Sequence, residues 1–381
     1  VKLEVIHRDD PLRRTSAPGK RDHPQEQKQK EFFHQCSHVW FRRSTKSPLQ
    51  SSGGVMVKDL AMAEQCAEIT PTASEWLSHP SGCIVLIDKQ QNSPLSPMIA
   101  PDQALVGLML PMSPFHHLLM AQVNRPLVFT SANVSGEGQI FRDDIAYQQL
   151  GRLADWLWTH NRPIVRRLED SVVRVFKGFR NQSDQVAKLR LGRGFSPCAL
   201  PIPEGFDSSQ RLSATGAESK PHIAISLANE WRLSQFIGQL TSLDDTDGYQ
   251  QVWQDFHALH QHSPENIIVD AHPNYHATQI GLAEAERLGV TVQRVYHHHA
   301  HLAGCMAEYG LPKDHPPVMG LILDGIGLGE GNKLLGCELF YGGYADVEHC
   351  VTLPPTPLLG GVQPVRYRLL VMSKVMKDNQ P

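Results

Sequence analysis

Nowhere in the 381 residues does an apolar run approach the roughly 18 to 20 residues that a bilayer crossing demands. The chain therefore reads as soluble, with no membrane partner. No CxxC pair occurs either. The seven cysteines (Cys36, Cys66, Cys83, Cys198, Cys305, Cys337 and Cys350) are odd in number and scattered, which argues against a disulfide framework and against a zinc ribbon. No apolar h-region opens the sequence, so no secretory signal is read and a reducing cytoplasm is the expected compartment. Strong charge of one sign is absent as well: 36 Lys and Arg against 39 Asp and Glu leave a net −3, too weak a field to argue for nucleic acid as a partner. There is no long repeat and no low-complexity tract. What remains is ordinary globular composition, 41% hydrophobic and 20% charged with 29 Gly and 27 Pro, in a chain long enough for two or three domains at about 150 residues each.

Residues 1 to 52 stand apart. Residues 1 to 50 carry 11 Lys and Arg against 6 Asp and Glu, a local +5, and no period of 2 or 3.6 persists there. They read as a solvated, disordered basic tail. From residue 53 to about 200 strands alternate with helices. Val55–Val57, Cys83–Ile87, Leu105–Leu110 and Pro126–Phe129 read as strands, and Leu60–Cys66 and Phe115–Leu119 as helices. Residues 201 to 215, with two prolines, a glycine and a serine pair, read as a linker. A second unit, 216 to 381, resumes the pattern with strands at Ile223–Leu227, Ile267–Asp270, Val290–Val295 and Val318–Leu323. Between them lie an amphipathic helix over Tyr249–His260, with Val252, Trp253, Phe256 and Leu259 on one face, and a helix over Ile280–Leu288 that ends at Gly289. The alternation predicts α/β sheets.

Chemistry concentrates in a few places. In Tyr296-His297-His298-His299-Ala300-His301, a helix starting at His297 puts His297 and His301 at i and i+4, on one face, able to share a metal ion. No Glu lies between them, so the metallopeptidase reading fails. A surface histidine cluster is the bland alternative. About twenty residues on, the apolar strand Val318–Leu323 runs into Asp324-Gly325-Ile326-Gly327-Leu328-Gly329-Glu330-Gly331. Glycines there would let backbone N–H groups approach a phosphate, and Asp324 would complete a two-His, one-carboxylate set suited to Fe(II) or Zn(II). In the first unit Thr130, Ser131, Asn133 and Ser135 crowd hydroxyls and an amide onto the turn after a strand, where α/β sheets place ligands. Simple Asx and Ser capping accounts for such a turn equally well. Arg166-Arg167-Leu168-Glu169-Asp170-Ser171 precedes another strand, and Arg190 and Arg193 precede Gly194. Arginine forks for phosphate are the functional reading of these, and a solvated surface the plain one.

The order of these motifs carries a resemblance. Gly107 to His117, Thr130 to Gly136, Asp170-Ser171-Val172, Arg193-Gly194, Ser234 to Leu240, Asp270-Ala271-His272-Pro273-Asn274-Tyr275, His297 to His301, Asp324 to Gly331 and Gly360-Gly361 together resemble the HypF carbamoyltransferases of nickel–iron hydrogenase maturation, over roughly residues 53 to 370. The resemblance implies a partial YrdC-like twisted α/β sheet followed by the first lobe of an actin/Hsp70-like α/β domain similar to the tRNA threonylcarbamoyl transferases. It implies formation of carbamoyl adenylate from carbamoyl phosphate and ATP (with Mg), and transfer of the carbamoyl group to the C-terminal cysteine of a HypE acceptor. Thr130, Ser131, Asn133, Ser135, Arg167, Arg190 and Arg193 would line the nucleotide site, His297, His301 and Asp324 would hold Fe or Zn, and Gly325 and Gly327 would lie near nucleotide phosphate. Three positions depart from the family pattern: Ile326 for Thr, Cys337 for Gly and Val362 for Asp. No acylphosphatase or paired CxxC motif is found, Arg42-Arg43 and Lys46 resemble a remnant of the basic nucleotide-binding strand, and only the first transfer lobe is recognised. The expectation is a fragment with restricted activity. An RNA-modifying threonylcarbamoyl enzyme and a non-catalytic binding module are the competing readings.

Overall fold

The computed structural model describes residues 3–7, 39–41, 54–132, 139–150, 156–160, 164–179 and 182–352. In chain order the elements are β1 (Leu3–His7), β2 (Val39–Phe41), β3 (Gly54–Met56), α1 (Leu60–Cys66), α2 (Pro71–Leu77), β4 (Ile84–Asp88), β5 (Leu105–Met109), α3 (Pro114–Val123), β6 (Leu127–Phe129), α4 (Asp143–Gln149), β7 (Trp156–His160), β8 (Val172–Phe176) and β9 (Gln185–Arg190). There follow β10 (Cys198–Pro201), β11 (Leu212–Ala214), β12 (Ala224–Ser226), β13 (Glu230–Leu233), α5 (Leu243–Leu259), β14 (Asn266–Asp270), α6 (His276–Leu288), β15 (Thr291–Val295), α7 (His297–Glu308), β16 (Val318–Leu328), β17 (Leu334–Gly342) and β18 (Val347–Thr352). Contacts divide them into two units, Val1–Cys198 with Ser234–Gln254, and Ala199–Leu233 with Asp255–Pro381.

In the first unit a six-stranded mixed sheet runs β6-β3-β5-β4-β8-β9, with β3–β5 and β4–β8 parallel and the other neighbours antiparallel. Its central strands β3, β4 and β5 are largely buried because helices cover both faces there, whereas the edge strands β6 and β9 are not. Val55, Val57, Val85, Ile87, Leu108 and Val173 pack with Ala63, Cys66, Ala73 and Leu77 of α1 and α2. Met56, Ile84 and Met109 pack with Met120 of α3. The period of 2 thus sends Val55 and Met56 to opposite layers. Helix starts follow from capping: the Asp59, Thr70 and Ser113 side chains accept from Met62, Ala73 and His116 N–H, and Pro71 and Pro114 follow their caps.

Three readings of the sequence differ from the structure here. The stretch taken as a disordered tail contributes β1 and β2, each pairing antiparallel with β7; backbone pairing with a distant strand leaves no local period to read. Segment Ser234–Gln254, assigned to the second domain, belongs to the first unit: Phe236 N–H donates to Leu191 O (2.9 Å), and Asp245 pairs with Arg167. The stretch taken as a linker contains β11, an internal strand of the second sheet. Asn133, Ser135, Arg42-Arg43, Lys46, Gly136, Gly360, Gly361 and Val362 lie outside the described residues.

The second unit holds a six-stranded sheet, β10-β13-β12-β11-β14-β15, and a three-stranded one, β16-β17-β18. The β11–β14 and β14–β15 pairs are parallel, and α6 makes the crossover between β14 and β15. Its stripe Ala277, Ile280, Gly281 and Ala285 is buried, and Gly289 closes it in the left-handed region at φ 68°. Helix α5, whose residues up to Gln254 belong to the first unit and the rest to the second, starts six residues earlier than its apolar stripe predicts; Val252, Trp253 and Phe256 are buried, whereas Leu259 is exposed at its end. On α7, His298, Leu302 and Met306 are buried at i, i+4 and i+8, and Leu302 and Met306 pack with Phe340.

At Gly281 a β-carbon would stand 2.6 Å from Val269 Cγ1 and 2.7 Å from Thr215 Cγ2. Gly281→Val should therefore cost roughly 1–3 kcal/mol by overpacking between α6 and its sheet; a lower urea midpoint at unchanged slope is the expected result, and an unchanged midpoint would refute this packing.

Candidate metal centre and nucleotide-side residues

Strand β14 ends at Asp270, α7 begins at His297 and β16 carries Asp324. These three elements bring their polar residues to one point. His297 Nδ1 donates to Asp270 Oδ2 at 2.8 Å, and Asp270 is anchored by its other oxygen, which accepts from His272 N–H at 2.8 Å. With Nδ1 so committed, neutral His297 directs the Nε2 lone pair at Asp324 Oδ2, 3.1 Å away, and at His301 Nε2, 3.3 Å away. The ligand atoms of His297, His301 and Asp324 lie within 4.8 Å of one another. Lone pairs converging in this way call for a cation. In the metal-free protein that cation is a proton: the Asp270 hydrogen bond, then that of Asp324, raise His297 to about 9. Burial, then the neighbouring His297, lower His301. Burial alone would raise Asp324, but the His297 contact and the Gly325 N–H outweigh it and hold the carboxyl below its ordinary range.

The donor set fits a divalent ion, two imidazoles and a carboxylate with open positions, and Asp270 supplies the carboxylate behind the histidine that metal sites favour. In the sequence the one signal for Asp270 is that it ends a buried strand with a carboxylate, in the Asp270–Tyr275 motif. The remaining histidines of the cluster are structural. His298 Nε2 donates to Gly336 O at 2.9 Å, and His299 Nε2 to Gly343 O at 3.0 Å. Gly327 has a steric reason to be glycine, since a β-carbon there would stand 2.6 Å from His298 Cε1 and 2.8 Å from His297 Cδ2. The expected glycine turn directly after Asp324 is instead the continuation of β16 to Leu328. The turn comes later, at Glu330–Asn332, where Gly331 takes φ 67°.

In the first unit Arg190 and Arg193 are brought together at Asp170. Arg190 Nε donates to its carbonyl at 2.6 Å and Arg193 Nη2 to its Oδ1 at 2.7 Å. Arg190 also lies 3.6 Å from Glu169, whose carboxyl is raised by burial despite that charge. Arg167 is paired with buried Asp245 at 2.7 Å. Thr130 and Ser131 follow β6, at the opposite edge of the sheet from β9, and are half-buried. His116, on α3, is a further polar residue that the sequence-derived site lacks. Its ring is 5.3 Å from that of Phe129, and burial, then the Arg193 charge, lower it to about 4, so it is neutral at pH 7.

Three families match successive parts of the chain. Residues 42–191 match the Sua5, YciO and YrdC family described as "Telomere recombination", 207–308 the HypF Kae1-like domain, and 320–380 the second subdomain of the carbamoyltransferase Kae1-like domain. The first match begins at residue 42, inside the stretch read as a tail. Among curated relatives, carbamoyltransferase HypF of Rhodobacter capsulatus is 38% identical over 77% of this chain and 38% of its own length. That of Synechocystis is 34% identical over 77% and 36%. Among solved structures, HypF of T. kodakarensis superimposes with TM-score 0.73 at 30% identity, over 86% of this chain and 42% of its own. A full-length HypF described as phosphate- and nucleotide-bound gives 0.72 at 27%, over 87% and 43%. The chain thus spans about two fifths of the length of these relatives.

Two outcomes are expected at the metal centre. Asp270→Asn should weaken divalent-metal affinity by roughly 10-fold in chelator competition, and unchanged affinity would remove Asp270 from the site. His297 sits near 9 in the fold against an ordinary 6.5, so its contribution to the stability of the metal-free protein is complete below about pH 6.5 and is lost as pH rises through about 9. Metal binding should release that proton within the same window, which calorimetry in buffers of different ionisation enthalpy would detect.

Proposed function

Because the chain belongs to the HypF carbamoyltransferase family, we propose that it carries the adenylate-forming and first carbamoyl-transfer portions of that activity. In this reading, carbamate derived from carbamoyl phosphate attacks the α-phosphorus of Mg-bound ATP in the first unit, releasing pyrophosphate and giving carbamoyl adenylate. A thiolate at the C-terminal cysteine of a HypE-like acceptor then attacks the carbamoyl carbon, AMP leaves, and a thiocarboxamide results. Arg190 and Arg193 lie beside one another at Asp170 and suit the nucleotide phosphates, with Arg167, Thr130, Ser131, Asn133 and Ser135 as the rest of the proposed site. Phosphate would compete with Asp170 and Asp245 for these guanidinium groups. Gly325 and Gly327 are assigned to the neighbourhood of a nucleotide in the second unit.

The observation that carries the reading is the convergence of His297, His301 and Asp324 in a chain whose residues 207–308 and 320–380 match the Kae1-like domains of carbamoyltransferases. These residues would hold Fe or Zn, which would supply Lewis-acid polarisation of an oxygen on the bound nucleotide or carbamoyl group. Asp270 orients His297, and the histidines behind it fix the helix that presents both imidazoles. In this reading the YrdC-like portion ends near Cys198 and takes in Ser234–Gln254, and the transfer portion takes in Ala199–Leu233 and the residues from Asp255 onward. A reducing, cytoplasmic setting is consistent with the described cysteines, all free thiols.

The test is release of AMP and pyrophosphate from ATP. Release should depend on carbamoyl phosphate, or on carbamate supplied directly, and Arg193→Ala should reduce it by 10-fold or more. Release supported only by threonine with bicarbonate would overturn the reading in favour of the RNA-modifying class.

A further inference from the structure

Asp324 reaches the metal centre because β16 is irregular where it matters. Register pairs Leu323 with Cys337 and Gly327 with Leu335. Asp324, Gly325 and Ile326 therefore stand opposite the single residue Gly336, an excess of two on β16. A bulge of this kind leaves the partner strand's backbone groups without their ladder partners, and a buried backbone polar group left unpaired is costly. Gly336 is buried, and both of its groups are taken by side chains. Its N–H donates to Glu338 Oε1 at 2.8 Å, and its carbonyl accepts from His298 Nε2 at 2.9 Å.

Glu338 is a carboxylate only 2% exposed, in a strand whose other inward residues are apolar. Its second oxygen accepts from His349 Nε2 at 2.7 Å, and Thr352 Oγ1 donates to Oε1 at 3.1 Å. Burial would raise Glu338, yet the Gly336 N–H, His349 and Thr352 together hold it below its ordinary range. Phe340 stacks between His298, at 6.0 Å, and His349, at 4.9 Å. Directly across the ladder from Glu338 lies Ile322, two residues before Asp324. A buried charge with this many partners, one of them the residue facing the bulge, does something an apolar residue could not.

We propose that Glu338, with His298, is a positioning residue: by holding both backbone groups of Gly336 off the β16 ladder, it maintains the bulge that aims Asp324 at His297 and His301. The proposal rests on the metal reading of those three residues. It assigns different work to neighbouring histidines, His297 and His301 to the ion, His298 to the strand opposite. It also accounts for a buried acid within β17 two residues after Gly336.

The experiment uses the full chain in two ways. Amide hydrogen exchange of the metal-free protein is followed in peptides covering 324–337, and Co(II) alone is titrated as the probe, with its visible d–d bands recorded. In Glu338→Ala, exchange over 324–337 should quicken at least 10-fold while α6 and β14 keep their protection. Co(II) affinity should fall 10- to 100-fold with altered bands. Glu338→Gln, which retains an oxygen acceptor for Gly336, should recover most of both. Should Glu338→Ala not fold, Glu338→Asp, which keeps the charge but withdraws it by one methylene, is read in the same two ways, with the same losses expected. Wild-type exchange over 324–337 together with wild-type Co(II) affinity and bands, in whichever of these two variants folds, overturns the proposal. Absence of Co(II) binding by the unaltered protein would sink the metal reading instead, while the exchange measurement still decides whether Glu338 holds the bulge.

Discussion

Two carboxylates from different strands face one imidazole, and much of the second unit is arranged to keep them there. Asp270 ends β14, Asp324 sits in the bulge of β16, and His297 at the first turn of α7 lies between them at 2.8 and 3.1 Å. Without a positive charge on or beside that ring, two acids would face each other across a half-buried space, an arrangement that removal of one partner makes strongly unfavourable. Proton and metal are therefore alternatives for the same position. The fold supplies the cavity of charge, and whichever cation occupies it locks a helix and two strands together.

The triple histidine shows how one helical turn divides its work. Residues 297 and 301 share a face, whereas 298 points into the interface with β17 and 299 reaches Gly343 beyond its end. Glycine at 327 lets β16 approach two imidazoles at once, and glycine at 320 does the same for Leu302, whose Cδ1 would stand 2.5 Å from an added β-carbon. Close approach of helix to strand is the physical reason the structure itself gives for glycine at these two strand positions.

In the first unit the logic is one of pre-paired charge. Arg167, Arg190 and Arg193 are each held by a carboxylate or a carbonyl, so their guanidinium groups are oriented before any anion arrives. In the proposed site, such orientation would lower the ordering cost of binding a phosphate, at the expense of the partner that would be released or shared. His116, kept neutral by burial and by Arg193, adds a polar group to the same region without adding charge.

Local pattern decided the core helices and strands. Val55, Ile84, Leu108 and Ile267 were legible as buried strands because runs of branched apolar residues have few other fates. The stop at Gly289 and the i, i+4 pair His297 and His301 followed from chain geometry alone. Tertiary structure decided the rest. Nothing local marks β1 and β2 as partners of β7, or Ser234–Gln254 as part of the first unit, because strand pairing and ion pairs such as Arg167–Asp245 join residues far apart in sequence. The same holds at the centre itself: that Asp324 lies in a bulge, that Asp270 stands behind His297, and that Glu338 holds the facing strand are consequences of register, and register is a property of two strands together that neither one carries alone.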